Sequence, residues 1–183
     1  MKVQSGRQNL ALLLCIGYTG RQEGRALCKT DYPMLQRQLE SLLDGETHWL
    51  ANLANTSALL FSELEDLNWV GVYLCEDSEL VLGPFQGKPA CVRIPLGKGV
   101  CGTAADQRQS IVVPDVHEFP GHIACDAASR SEVVIPMITS EGRLLGVLDV
   151  DSPMLNRFSR DDEEGLRGVV DIVVRSCQWP AAD

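Results

Sequence analysis

The sequence predicts an α+β fold: a single domain whose mainly antiparallel sheet of about six strands is flanked by N-terminal and C-terminal helices. Three observations support this prediction. Apolar residues recur at helical spacing up to residue 64, strand-like segments joined by short turns follow from residue 69, and an amphipathic segment lies near the C-terminus. Successive strands joined by tight turns pair in antiparallel order, so a parallel sheet is disfavoured.

The helices are predicted at the two ends of this domain. Between Pro33 and Leu64 apolar residues recur every three or four positions, which is typical of an amphipathic helix. Gly45 is expected to interrupt this region, because glycine disfavours a helix interior. Ser159 is suited to cap the C-terminal helix, whose positive first turn contains acidic residues. The predicted buried stripe of this helix consists of Leu166, Val169, Val170, Val173 and Cys177.

The first strands are predicted from β-branched and aromatic residues that lie between turns. Residues 69–74 and 80–82 form a hairpin around the polar turn 76–78, and residues 91–95 form a short strand. Glycine and proline separate these segments, which favours turns rather than helix between them.

The second half of the domain combines a helix, further strands and a long loop. The predicted regular elements are the short helix 99–107, the strand 111–113, and the hairpin strands 133–138 and 143–151, joined through Ser140, Glu141 and Gly142. Residues 115–130 form the loop, and long loops in compact domains commonly contain functional residues.

Composition and charge disfavour several classes of function. The chain has 183 residues, of which 45% are apolar and 22% charged, as in ordinary globular domains. Its net charge is −9 and its basic residues form no cluster longer than a pair, so neither nucleic acid nor a membrane is a predicted partner. The seven cysteines are an odd number in a chain long enough to build a core, which indicates a reducing compartment. A cytoplasmic location is therefore expected.

The first 30 residues are predicted to be an accessory N-terminal extension, and residues 31–180 to form the catalytic domain. Residues 10–16 are an apolar run behind two basic residues, which faintly resembles the core of a signal peptide. No small-x-small cleavage site follows closely, and the run is much shorter than the roughly 20 residues that span a membrane. Export is therefore not the favoured interpretation.

Three cysteines lie in or beside the turn-rich middle of the chain and are the candidates for thiol chemistry: Cys91, Cys101 and Cys125. Cys101 follows the predicted start of a helix, with Lys98 close by. A helix N-terminus and a cation both lower the pKa of a thiol, so the sequence predicts a thiolate at Cys101. The pattern around Cys75 and Cys177 predicts small buried hydrophobic residues instead.

Cys125 has His122 three residues before it in the long loop, whereas the adjacent Asp126 opposes ionisation of its thiol. Two thiols that can meet are the minimum for disulfide chemistry, because one attacks and the other condenses with the sulfenic acid that results. A zinc site made of Cys101, His117, His122 and Cys125 is the alternative. It is disfavoured, since the two histidines are five residues apart and the cysteines form no Cys-x-x-Cys pair.

Acidic residues are predicted to lie together at the end of an apolar strand. Asp149 and Asp151 are two residues apart, so their side chains share one face of the strand. Glu132 opens the preceding strand and adds a third carboxyl group. Buried carboxyl groups are costly without a cation or hydrogen-bond donors, and the alternative for the two aspartates is that they are solvated. An acidic pocket suits a small substrate that contains an ammonium group.

The same alternation places Trp69, Gly71 and Tyr73 on one face of the first strand. Two aromatic residues on either side of a glycine are expected to leave a slot with flat apolar walls. Such a slot suits a thioether or sulfoxide methyl group, although core packing explains the same pattern.

Taken together, these segments closely resemble the free methionine-(R)-sulfoxide reductases, over about residues 31–177. The motifs that carry the resemblance are Trp69-Val-Gly-Val-Tyr73, Gly83-Pro-Phe-Gln-Gly87, Ala90-Cys91, Arg93-Ile-Pro95, Gly99-Val-Cys-Gly-Thr103, Asp115-Val-His117, His122-Ile-Ala-Cys-Asp126, Ser131-Glu132 and Gly146-Val-Leu-Asp-Val-Asp151. The resemblance implies a GAF-like fold and thiol-dependent reduction of free methionine-(R)-sulfoxide. It also implies an intramolecular disulfide that thioredoxin recycles, and no metal or organic cofactor.

The resemblance also implies roles for individual residues. Cys125, Cys101 and Cys91 match the redox-active thiols, with Cys125 the first choice as attacker and Cys101 the second. The implied substrate-binding residues are Trp69, Tyr73, Glu132, Asp149 and Asp151. The sequence leaves open whether the protein forms a homodimer. The competing class is a non-catalytic GAF module that senses a small ligand, since a fold does not fix a function.

Overall fold

The computed structural model describes residues 30–121 and 127–181. It contains four α-helices, α1 (Tyr32–Leu43), α2 (Trp49–Glu63), α3 (Gly99–Gln107) and α4 (Arg160–Ser176), in the described part of the chain. The strands are β1 (Trp69–Glu76), β2 (Glu79–Gly87), β3 (Arg93–Pro95), β4 (Ile111–Val113), β5 (Ser131–Ile138) and β6 (Leu144–Ser152). Among these described helices none has the length and apolarity needed to cross a bilayer.

The six strands form one antiparallel sheet in the order β3-β2-β1-β6-β5-β4. The β1–β2 and β5–β6 hairpins are joined at its centre, where β1 pairs with β6. The predicted α+β fold is therefore confirmed. The predicted strand 91–95 is shorter than expected, because only the first three residues of β2 pair with β3. Cys91 consequently precedes the strand.

Helices cover the two faces of the sheet unequally. α2 and α4 pack on one face, with α1 against both of them, and the main core there includes Val70 and Val72 of β1 and Leu148 and Val150 of β6. α3 packs on the other face against β5 and β6, over a second apolar cluster. Since alternate residues of a strand point to opposite faces, the residues between those core positions point toward α3.

The helix boundaries follow the predicted signals. Gly45 has a φ of +76° and separates α1 from α2, as expected for a residue in the left-handed region. Ser159 caps α4 in a capping box with Asp162, and the same Asp162 accepts a 2.9 Å hydrogen bond from the Tyr32 hydroxyl of α1. Cys177 follows the helix and is only half-buried, so its prediction as a fully buried residue was wrong.

Cys75 is also half-buried rather than buried, because it lies near the exposed turn of the first hairpin. Part of each side chain packs against a core: Cys75 contacts the cluster on the α3 face, and Cys177 contacts the cluster on the opposite face. The predicted long loop contains a short 3-10 helix, Val116–Glu118, capped by Asp115.

Candidate active site

Three carboxyl groups meet on the α3 face at the centre of the sheet. The strand register places Asp151 between Trp69 of β1 and Glu132 of β5, and Asp149 directly opposite Gly71. Glu132 and Asp149 are 5% and 6% exposed, whereas Asp151 is half-buried. The alternative of two solvated aspartates is therefore wrong for Asp149.

Helix α3 adds a thiol to this group. Cys101, in the first turn of the helix, is 4% exposed, and its thiol donates a weak hydrogen bond to Glu132 Oε1 over 3.8 Å. The sulfur of Cys101 and carboxylate oxygens of Glu132 and Asp149 all lie within 4.8 Å of one another. These three atoms are the group among the described residues that could hold a metal ion. We call them the thiol–acid cluster.

The environment of the cluster opposes negative charge. Burial raises the pKa of Glu132 well above its usual range, and the neighbouring Asp149 and Asp151 raise it further. Burial also raises the pKa of Asp149, to about 7. Loss of hydration disfavours the ionised form of each carboxyl group, so this environment favours the protonated form of Glu132.

The predicted thiolate at Cys101 is contradicted by this environment. Burial raises the pKa of the Cys101 thiol well above its usual value, and Asp149 and Glu132 raise it further. Lys98, the cation expected to counteract these effects, is exposed at the N-cap of α3. The two buried acids therefore outweigh the helix N-terminus, and Cys101 is a thiol in the reduced protein.

One atom of the cluster has no hydrogen-bond partner among the described residues. Asp149 Oδ1 is buried, and none of the described residues donates a hydrogen bond to it. An unpaired buried carboxylate oxygen costs free energy, and such atoms commonly point to a ligand. The side chain is therefore available to a donor or cation that enters the site.

The aromatic wall differs from the predicted slot. The Trp69 ring stacks on Tyr73, with centroids 5.9 Å apart, and on Phe85 at 5.5 Å. A Cβ atom on Gly71 would lie 2.4 Å from Trp69 Cη2, so the indole ring itself fills the space above the glycine. The prediction of a slot over Gly71 is therefore wrong. The wall is instead a row of three stacked rings, and Phe85 is the member that the sequence analysis missed.

Two hydrogen bonds connect this wall to the segment that contains Cys91. Trp69 Nε1 donates to the Lys88 carbonyl oxygen at 3.1 Å, and the Tyr73 hydroxyl donates to the Cys91 carbonyl oxygen at 3.1 Å. Cys91 is half-buried and packs against the apolar cluster beneath α3. The aromatic wall is therefore hydrogen-bonded to the segment that contains Cys91.

The remaining candidates are not placed by the structure. Cys125 and His122 lie outside the described residues, and so does the predicted extension up to residue 29. His117 is exposed in the short 3-10 helix, and the groups near the Cys101 sulfur are the carboxylates of Glu132 and Asp149. The described part of the cysteine–histidine zinc site, the disfavoured alternative, therefore does not assemble.

Comparison with known proteins identifies the family. The GAF domain model matches residues 22–176. Over 139 residues the chain is 58% identical to the free methionine-R-sulfoxide reductase of Escherichia coli, with 76% of this chain and 84% of that protein covered. The chain belongs to the free methionine-(R)-sulfoxide reductase family. The family expected from the sequence motifs is thus confirmed.

Solved structures of this reductase family have the same fold. The reduced form of fRMsr of Staphylococcus aureus is 50% identical and has a TM-score of 0.80, with 84% of this chain and 99% of that chain covered. The free methionine-R-sulfoxide reductase of Neisseria meningitidis, solved in complex with its substrate, is 46% identical with a TM-score of 0.76. Here 79% of this chain and 87% of that chain are covered.

Proposed function

We propose that this protein is a thiol-dependent oxidoreductase that reduces free methionine-(R)-sulfoxide to methionine. The observation that carries the proposal is the thiol–acid cluster beside the aromatic wall, on one face of the sheet in a member of this reductase family. A reductase of a free amino acid must recognise an ammonium group, a sulfoxide and a methyl group. The site offers groups suited to each.

The substrate is held by opposite ends of the site. Asp149 and Asp151 attract the ammonium group, since partial burial strengthens the interaction of opposite charges. The sulfoxide methyl group packs against Trp69 and Tyr73, which offer a flat apolar surface. Because a peptide-bound methionine has no ammonium group, this arrangement selects the free amino acid.

The first chemical step is attack of a thiolate on the sulfoxide sulfur. We assign the attack to Cys125, because the neighbouring acids hold Cys101 as a thiol. Glu132, whose raised pKa favours the protonated form, donates a hydrogen bond and then a proton to the sulfoxide oxygen. The hydroxyl group then passes from the substrate sulfur to the Cys125 sulfur while the transient sulfur–sulfur bond breaks, so methionine is released and Cys125 is left as a sulfenic acid.

The second step regenerates the enzyme. Cys101 or Cys91 attacks the sulfenic sulfur, a disulfide forms and water leaves. Thioredoxin then reduces this disulfide with two electrons and two protons, so the sum is one sulfoxide reduced to methionine and water per dithiol oxidised. The carboxylate of Asp149 lies close enough to Cys101 to accept its proton. We place this cycle in the cytoplasm, where such dithiols stay reduced.

A stereochemical assay tests the proposed function. The full chain, incubated with racemic free methionine sulfoxide and a thioredoxin system, is expected to consume the R epimer and leave the S epimer, measured by chiral chromatography. N-acetylmethionine-(R)-sulfoxide is expected to react at least tenfold more slowly, about 1.4 kcal/mol, because its nitrogen has no charge. Binding of the R epimer without turnover would support the sensor alternative and contradict the proposal.

The hydrogen bond between the aromatic wall and Cys91 leads to a further prediction. Tyr73→Phe keeps the ring but removes the donor to the Cys91 carbonyl oxygen, an interaction of about 1 kcal/mol. We expect disulfide formation at Cys91 to slow by about fivefold in a quenched time course, with little change in KM. Tyr32→Phe removes a hydroxyl on the opposite face and serves as the control. An unchanged rate at Cys91 would show that the bond does not position this thiol.

A further inference from the structure

The thiol–acid cluster combines donor atoms of two kinds in one buried place. Cys101, Glu132 and Asp149 come from three different elements, α3, β5 and β6, and each side chain is more than nine-tenths buried. Their donor atoms lie within 4.8 Å of one another. Asp149 Oδ1 is buried without a hydrogen-bond donor among the described residues, so at least one acceptor in the cluster is unsatisfied.

We propose that the reduced protein binds one Zn²⁺ ion through Cys101, Glu132 and Asp149, and that this ion excludes the sulfoxide substrate. Zinc accepts sulfur and carboxylate oxygen together, at about 2.3 Å and about 2.1 Å. Tetrahedral ligands at those distances lie about 3.6 Å apart. The Cys101 sulfur and Glu132 Oε1 are already 3.8 Å apart, so little movement is needed.

The donor set selects among cations. Calcium and magnesium prefer sites made of oxygen alone, whereas a thiolate favours softer ions such as zinc. Three protein ligands leave a fourth tetrahedral position for water. Zinc displaces the thiol proton of Cys101 and the carboxyl proton of Glu132, which pass to solvent, and its two positive charges reduce the repulsion among the three ligands.

Zinc in this position would inhibit the reductase. It coordinates Glu132 and Asp149, the groups proposed to contact the substrate, and it also coordinates the Cys101 thiol, which is proposed to close the disulfide. The inhibition therefore rests on the proposed function, whereas the binding of zinc does not. Oxidation of Cys101 removes the sulfur ligand, so only the reduced protein binds the ion.

A zinc titration of the full chain tests this site. The metal-free protein, kept reduced with a phosphine, is titrated with Zn²⁺ in competition with a chromophoric chelator. We expect one ion per chain with a Kd of about 1 μM or tighter. Cys101→Ser and Asp149→Asn are each expected to weaken binding at least tenfold, whereas Cys177→Ser, which changes a thiol on the opposite face, leaves it unchanged.

Activity is a second and separate readout. Turnover of methionine-(R)-sulfoxide in metal-free buffer tests the proposed function, and the titration tests the metal site whatever that result is. In the active enzyme, zinc is expected to raise KM without lowering kcat, and a chelator to reverse the effect. Absence of stoichiometric binding, or binding that survives both Cys101→Ser and Asp149→Asn in the folded protein, would overturn the proposal.

Discussion

Replacement of Cys125 by serine is expected to abolish turnover of methionine-(R)-sulfoxide, lowering kcat by roughly a thousandfold or more. Serine keeps the size of the side chain but has no thiolate to attack the sulfoxide sulfur. Cys101 does not replace it, because burial beside Glu132 and Asp149 keeps its own thiol protonated. Steady-state assays with a thioredoxin system measure this loss.

The matched variant is Cys101→Ser, which leaves the attacker in place. Without added reductant it is expected to release methionine in a single turnover and to accumulate a sulfenic acid or a disulfide to Cys91. Mass spectrometry of the wild-type protein is expected to find Cys125 joined to Cys91 or Cys101, while Cys75 and Cys177 remain free. Full activity in Cys125→Ser would reverse the assigned roles, and a disulfide confined to Cys75 and Cys177 would contradict them.

Most of the fold is predictable from the sequence because its signals are local. Helical periodicity, the break at Gly45 and the cap at Ser159 each act within a few residues, and all three are found in the structure. The two hairpins are likewise encoded by short turns between alternating segments. The position of Cys91 before β3 is less predictable, since pairing with β2 decides where that strand begins.

The grouping of the acidic residues is predictable from the sequence, but their electrostatics are not. Strand alternation brings Asp149 and Asp151 to one face, but how deeply Asp149 and Glu132 are buried depends on the packing of α3 over them. That packing raises the pKa of Cys101, whereas its neighbours in sequence predict the opposite. A shift caused by residues 31 and 48 positions away in the chain is invisible to local reasoning.

The aromatic wall also shows what local sequence patterns do not predict. The strand pattern places Trp69 and Tyr73 correctly, but the side-chain rotamer of Trp69 fills the space above Gly71. Phe85 lies opposite Gly71 across the β1–β2 hairpin, and a register shift follows between Gly71 and Tyr73. The sequence analysis ends that strand at residue 82 and interprets the glycine and proline that follow as a turn, whereas β2 continues to Gly87, which is why the third ring was missed.

Asp149→Asn is expected to separate catalysis from stability. The change keeps the volume of the side chain but removes a charge that attracts the substrate ammonium group, so kcat/KM should fall at least tenfold, about 1.4 kcal/mol. Stability should hold or rise, by about 1 kcal/mol or roughly 2–4 °C in Tm at pH 8, because the buried charge no longer forms. Glu132→Gln and Asp151→Asn should lower activity in the same way.

The change in stability caused by Asp149→Asn is expected to depend on pH. The pKa of Asp149 is about 7 in the folded protein, against about 3.9 for an unfolded chain, so between these values the folded state holds the extra proton. Its contribution to stability is complete below about pH 4 and is lost as the pH rises through 7. Urea denaturation at pH 5 and pH 8 should therefore show that the free energy of unfolding of Asp149→Asn increases relative to that of the wild type as the pH rises. Asp171→Asn, an exposed residue of α4, is the control. Joint loss of stability and activity in Asp149→Asn would instead give the carboxylate a structural role, and full activity would place the substrate site elsewhere.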